Sequence, residues 1–185
     1  MKLWDPTFCP SYTPLEMFEL GIFEGKYLNE IKEVPAAWKA KLHASGKHVK
    51  PGQPADPSIN RFGVKARMPL SNWKEKGWLF PEDPEGWVAW YIKYFLGRRV
   101  PEMDAVQIRR FRSFVARHQA QVSQNCSIKD FGCRPRQRQG LLQWGWDSTT
   151  PFTESQQKKN AERIARAAGA SIGVPALEQM PSAKW

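Results

Sequence analysis

Four carboxylates stand beside cationic stretches in this chain: Glu30 after Lys26 and Tyr27, Asp83 before Pro84, Asp104 ahead of Arg109 and Arg110, and Asp147 after Trp146. A carboxylate inside a phosphate-binding surface repels its own ligand unless it has a task there. It can activate water, stabilise a sugar cation, or pair with an arginine. Asp83 is explained as a helix cap. Glu30 and Asp104 have no such local explanation and are the acid–base candidates, although a salt bridge is the commoner fate of such groups. Lys26 is a reserve nucleophile, since a partly buried lysine can attack a sugar carbon.

The cations are unevenly placed. Of 185 residues, 28 are Lys or Arg and 18 are Asp or Glu, a net charge of +10. Residues 1–33 are net acidic and 34–100 net basic, while nine of the thirteen arginines fall between Arg98 and Arg138. Arginine is the side chain for bidentate contacts to phosphates and base edges. Arg98 and Arg99 follow Gly97. Arg109, Arg110, Arg112 and Arg117 fall on one long helical pattern, mainly off its apolar stripe. Arg134, Arg136 and Arg138 open another helix, whose first turn would offer bare N–H groups as well as guanidinium groups to an anion. A solvated basic face is the plain alternative.

Nine Trp and ten Phe are many for so basic a chain. Tyr27, Trp73, Trp78 and Trp87 could stack on bases, with Asn29 beside Tyr27 as a base-edge contact; most such rings are simply core. Cys126 and Cys133, with His118 upstream, could supply three soft donors to zinc, but their spacing is not that of a zinc knuckle. Buried thiols or a redox-sensitive pair are commoner, so neither metal nor cofactor is expected. His43 and His48 flank a polar loop and are expected to be solvated. Glycine-rich phosphate loop, zinc-protease, nucleophile-elbow and kinase signatures are all missing, which removes those enzyme classes.

The elements that must position these groups are helical. Thr13-Pro14-Leu15-Glu16 is a capping box opening a helix that Gly21 stops. Lys26 to Glu30 restarts helical spacing, Pro35 opens a short helix running to Gly46, and Gly46 to Pro57 is a surface loop. Ser71 caps a helix closed by Gly77. Asp83-Pro84 caps a helix that is apolar nearly all round, through Trp87 to Gly97, and is therefore the central core helix. The longest helix starts near Pro101, with Ile108, Phe111, Val115 and Val122 inward. Further helices begin near Pro135 and at Thr153. The expected fold is mainly α, a single compact helical domain of about six to eight helices. Residues 1–150 would form the helical core with the Arg-rich surface, and 151–185 a C-terminal helix with a loosely held tail. The longest apolar run, Trp87 to Ile92, is cut by Lys93, well short of the roughly 18 residues of a membrane span. Met1 to Pro6 lacks the apolar core of a signal peptide, and three cysteines give no disulfide framework, so the expected location is the cytoplasm and the expected state a monomer.

At Gly21-Ile-Phe-Glu-Gly-Lys26-Tyr27, Asp83-Pro-Glu-Gly-Trp87 to Arg99, Asp104 to Arg110, and Cys133-Arg-Pro-Arg-Gln-Arg138 to Asp147, the chain resembles an uncharacterised family of small basic proteins of bacteria and fungi. The likeness spans roughly residues 13–148 and implies no activity. As a compact basic protein it also resembles the small DNA glycosylases of phage defence, which remove hypermodified bases. That likeness implies a reaction class and carries over no catalytic residue. The leading expectation is a DNA-binding enzyme that flips a base, modified bases included, and hydrolyses its glycosidic bond. The arginines would hold duplex phosphates, Tyr27, Asn29 and Trp87 the base, and Glu30 or Asp104 would act as acid or base. The alternatives are a nucleic-acid-binding module without catalysis and a scaffold whose aromatic surface binds a protein.

Overall fold

Short-range signals at the helix starts account for much of the architecture. The computed structural model describes residues 4–173. Among them are seven α-helices, three 3-10 turns and no strand. Helix α1 (Pro14–Leu20) carries the expected capping box: the Glu16 N–H donates to the Thr13 hydroxyl and the Thr13 N–H to the Glu16 carboxylate. Gly21 ends it with φ 100°. A Cβ at Gly21 would lie 2.0 Å from the Ile59 carbonyl oxygen, so only glycine lets the segment around Ile59 approach there. The stretch expected to restart a helix makes two 3-10 turns instead, Phe23–Gly25 and Tyr27–Asn29. Helix α2 (Ala36–Ala44) follows Pro35 as expected.

Helix α3 (Leu70–Glu75) starts after Pro69, so Ser71 lies inside it and is not its cap. Helix α4 (Trp87–Phe95) starts after Gly86, and every residue except Lys93 is buried. Asp83 does not cap it. Its carboxylate, 0% exposed, is held by Arg98 and Lys93 from the far end of the helix. Those charge-assisted contacts explain why an acid can be buried there.

Helices α5 (Pro101–Asn125) and α6 (Pro135–Gln143) each have proline in the first turn and pack on each other. The expected inward stripe of α5 is buried. Phe8 sits at the centre of the core, with the rings of Trp90, Tyr91, Tyr94 and Phe111 at 5.0 to 5.6 Å. Helix α7 (Glu154–Ile172), capped by Thr153, closes over that same core through Ala161, Ile164, Ala165 and Ala168. Its Asn160 and Arg163 hold Ser11 and Glu16 of the N-terminal stretch. The chain is thus one compact helical domain that includes α7. The expected loose tail, beyond Ile172 and Gly173, lies outside the described residues. No helix among the described residues is long and apolar enough to cross a membrane.

Cys126 and Cys133 form a disulfide, with Cα atoms 5.8 Å apart. They are spent on each other and make no donor set with His118, whose ring instead lies 4.2 Å from that of Phe114.

Candidate functional site

Five separated stretches of chain enclose one aromatic cavity of about 180 Å³. Phe23, Tyr27 and Glu30 come from the two 3-10 turns, Met68, Leu70 and Trp73 from the segment entering α3, and Glu85 and Trp87 from the start of α4. Phe114 comes from α5, and Gln143 and Trp144 from the end of α6. The walls are rings packed on rings. Trp144 stacks on Phe114 at 4.9 Å and lies 4.8 Å from Trp87, while Phe23 stacks on Tyr27 at 4.7 Å.

Backbone geometry sets the Phe23 wall. Phe23 and Glu24 both adopt left-handed conformations, φ 50° and 54°, which cost energy for residues with a Cβ. The turn is held from outside by the Glu24 N–H donating to Asn60 Oδ1 and by Gly25 O accepting from the Val49 N–H. The Glu24 side chain is 1% exposed, and its carboxylate lies 3.1 Å from Nε of Arg67. Arg67 in turn lies 5.9 Å over the Phe23 ring and lines the cavity.

The polar groups in the lining are few. The Tyr27 hydroxyl donates to the Glu85 carbonyl and accepts from the Ala89 N–H. Burial, with Glu85 and Glu30 nearby, pushes its ionisation far above the ordinary phenol value, so it stays a neutral structural hydroxyl. One carboxylate oxygen of Glu85 is excluded from solvent and has no hydrogen-bond partner. Gln143 accepts from the Gln139 amide through its oxygen, which leaves its own NH₂ available as a donor. Glu30 is exposed and contributes at the mouth.

The cavity therefore brings together Tyr27, Glu30 and Trp87 of the residues singled out from the sequence. Lys26 joins the two 3-10 turns outside the lining, and the Asn29 side chain donates to the Val49 carbonyl. Asp104 lies elsewhere. It is buried, and accepts from the Trp90 indole N–H and from the Val100 N–H, which fixes the start of α5. Asp147 accepts from Thr149 in a local turn, beside a Tyr12 hydroxyl pushed up to about 12, first by burial and then by that acid.

Several arginines expected on phosphates are engaged inside the molecule. Arg98 is held by Asp83. Arg99 lies 3.6 Å over the Tyr94 ring and donates to backbone carbonyls. Arg110 donates to the Trp78 carbonyl and Arg112 to the Thr7 carbonyl and Gln157. Arg138 is 0% exposed and donates to the carbonyls of Ser127, Ile128 and Cys133 and to the Ser148 hydroxyl. Exposed guanidinium groups remain at Arg109, Arg117, Arg134 and Arg136. Exposed lysines at 65, 74 and 76 flank the cavity's Met68 and Trp73.

Glu85, Arg67, Phe23, Phe114 and Gln143 were not singled out from the sequence. The available signals were local: an acid two residues before Trp87, and a second α5 stripe running Arg110, Phe114, His118.

No family model, no curated protein and no solved structure matches the chain. Functional argument therefore starts from the cavity.

Proposed function

We propose that the chain binds DNA, holds one extruded base in the aromatic cavity and hydrolyses its N-glycosidic bond. The observation that carries this reading is the convergence of Tyr27, Glu30 and Trp87 on a ring-walled cavity whose surroundings carry exposed cations. A base taken out of the stack needs flat apolar walls and a few edge contacts. Trp87, Trp144 and Phe23 offer the first, the Gln143 amide and Glu85 the second.

The mouth suits the sugar and backbone. Met68 and Leu70 line it while 45% and 42% exposed, apolar surface of the kind that replaces stacking where a base has left. Arg136 lies one turn before the lining residue Gly140 on α6, and Arg117 nearly one turn after Phe114 on α5, so each shares a stripe with the cavity. Glu30, at the solvent edge, takes the proton of a water whose oxygen bonds to C1′. The C1′–N bond breaks, and the base leaves with the electron pair and takes a proton from solvent. As positive charge develops on the sugar, the Glu30 carboxylate also stabilises it.

The test is incubation with duplexes carrying a panel of modified bases, followed by alkali. Alkali-labile breaks at one modified position are expected, and Glu30→Gln should lower their rate by about a hundredfold or more. No breaks with any substrate, or an undiminished rate in Glu30→Gln, would overturn the reading.

A further inference from the structure

Resting on that reading, we propose that the base accepted by the cavity carries a positive charge delocalised over its ring, as an N-alkylated purine does. The cavity and the surface around it have opposite electrostatic character. The chain as a whole is +10. The cavity's charged lining is Glu30, Glu85 and Arg67, and Arg67 is already paired with the buried Glu24. Six rings, those of Phe23, Tyr27, Trp73, Trp87, Phe114 and Trp144, turn electron-rich surface toward the occupant.

The Glu85 oxygen is the sharper observation. It is shut off from solvent and unpartnered, a state that costs free energy until a donor or positive charge arrives. A neutral heterocycle gains little from two carboxylates, and an anionic one is repelled. A basic peptide or free polyamine would suit the cavity but is repelled by the cationic surface. A polyanion whose inserted group is cationic satisfies both regions.

The charge also simplifies the chemistry. When C1′–N breaks, the electron pair returns to the ring nitrogen and the base leaves neutral, so no general acid is needed. The water oxygen bonds to C1′ and its proton goes to Glu30. Positive charge moves from the ring, among the aromatic faces, to the sugar at the mouth, where Glu30 stands.

The experiment titrates the intrinsic tryptophan fluorescence of the full chain with 7-methylguanosine, at a pH where its ring is cationic, and with guanosine. The cationic nucleoside should bind about tenfold more tightly, and Glu85→Gln should bring the two close to parity while leaving guanosine affinity unchanged, which also reports an intact cavity. Equal binding by the two nucleosides, or a preference that survives Glu85→Gln, would overturn the inference. A parallel assay on DNA separates it from the reading beneath. Excision of neutral modified bases as fast as 7-methylguanine defeats the charge selectivity and leaves excision standing. Nucleoside selectivity without abasic sites in methylated DNA defeats excision and leaves the selectivity standing.

Discussion

Arg138 shows how little a side chain's charge says about its task. Its guanidinium fork reaches three loop carbonyls and the Ser148 hydroxyl from a fully buried position, holding the 127–133 segment that the Cys126–Cys133 disulfide also closes. Truncation to Ala would leave those acceptors without donors and open a cavity. A loss of about 3 kcal/mol in unfolding free energy is expected, read from urea midpoints. Arg138→Lys should recover less than half of it, because one compact ammonium cannot span acceptors arranged around a planar fork. Wild-type stability in the Ala variant would show that the loop carbonyls are satisfied by other means. The contrast with Arg136, two residues away and exposed, is one of helix phase: one side chain turns toward the 127–133 loop and the other toward solvent.

At the scale of elements, the turn carrying Phe23 depends on what packs behind it. The His48 ring nitrogen Nδ1 lies 3.0 Å from the Gly25 carbonyl and donates to it, so the neutral ring supports the left-handed turn. Burial, opposed by that hydrogen bond but aided by His43 and Lys39, holds the His48 value below its ordinary 6.5. The unfolded chain therefore binds a proton that the folded chain refuses between the lowered value and 6.5. Stability from this residue is full above pH 6.5 and declines as pH falls below it. Urea midpoints measured from pH 7.5 to 5 should show that decline, and His48→Gln, which keeps a donor but cannot titrate, should reduce it. An unchanged slope in the variant would move the effect to another group. Signals of this range divide what the sequence discloses. Thr13 with Glu16, Pro101, Pro135 and the all-round apolar run from Trp87 specify their helices within a few residues, so those elements were legible. Asp83 and Asp104 were not, because their partners Arg98, Lys93 and Trp90 lie ten or more residues away and no local spacing announces a pairing. The cavity was half legible for the same reason. Tyr27, Glu30 and Trp87 draw notice as aromatics and an acid near cations. Glu85, Arg67 and Phe114 acquire their roles only when five stretches meet.

For the molecule as a whole, the question is which part of the +10 faces a polyanion. Internal pairing of Arg98, Arg112 and Arg138 removes them from the count, so the predicted contact surface is smaller than the arginine run suggested and is centred on the cavity. Arg136 and Lys74 stand on the elements that line it, next to Gly140 and Trp73. Arg109, exposed on α5, lies about 140° around the helix from the lining residue Phe114 and so points away. Duplex affinity measured by fluorescence anisotropy across a series of salt concentrations should fall steeply. The log–log slope is set by how many cations meet phosphates, at about 0.9 per contact on B-form DNA. Arg136→Gln and Lys74→Gln together should flatten the slope by about 2 and weaken all sequences alike, whereas Arg109→Gln should leave it unchanged. An equal effect of Arg109→Gln would mean that the duplex spreads over the whole basic surface. Affinity indifferent to salt would remove DNA as the ligand altogether, and with it the reason for a cationic rim around a cavity whose own lining is acidic.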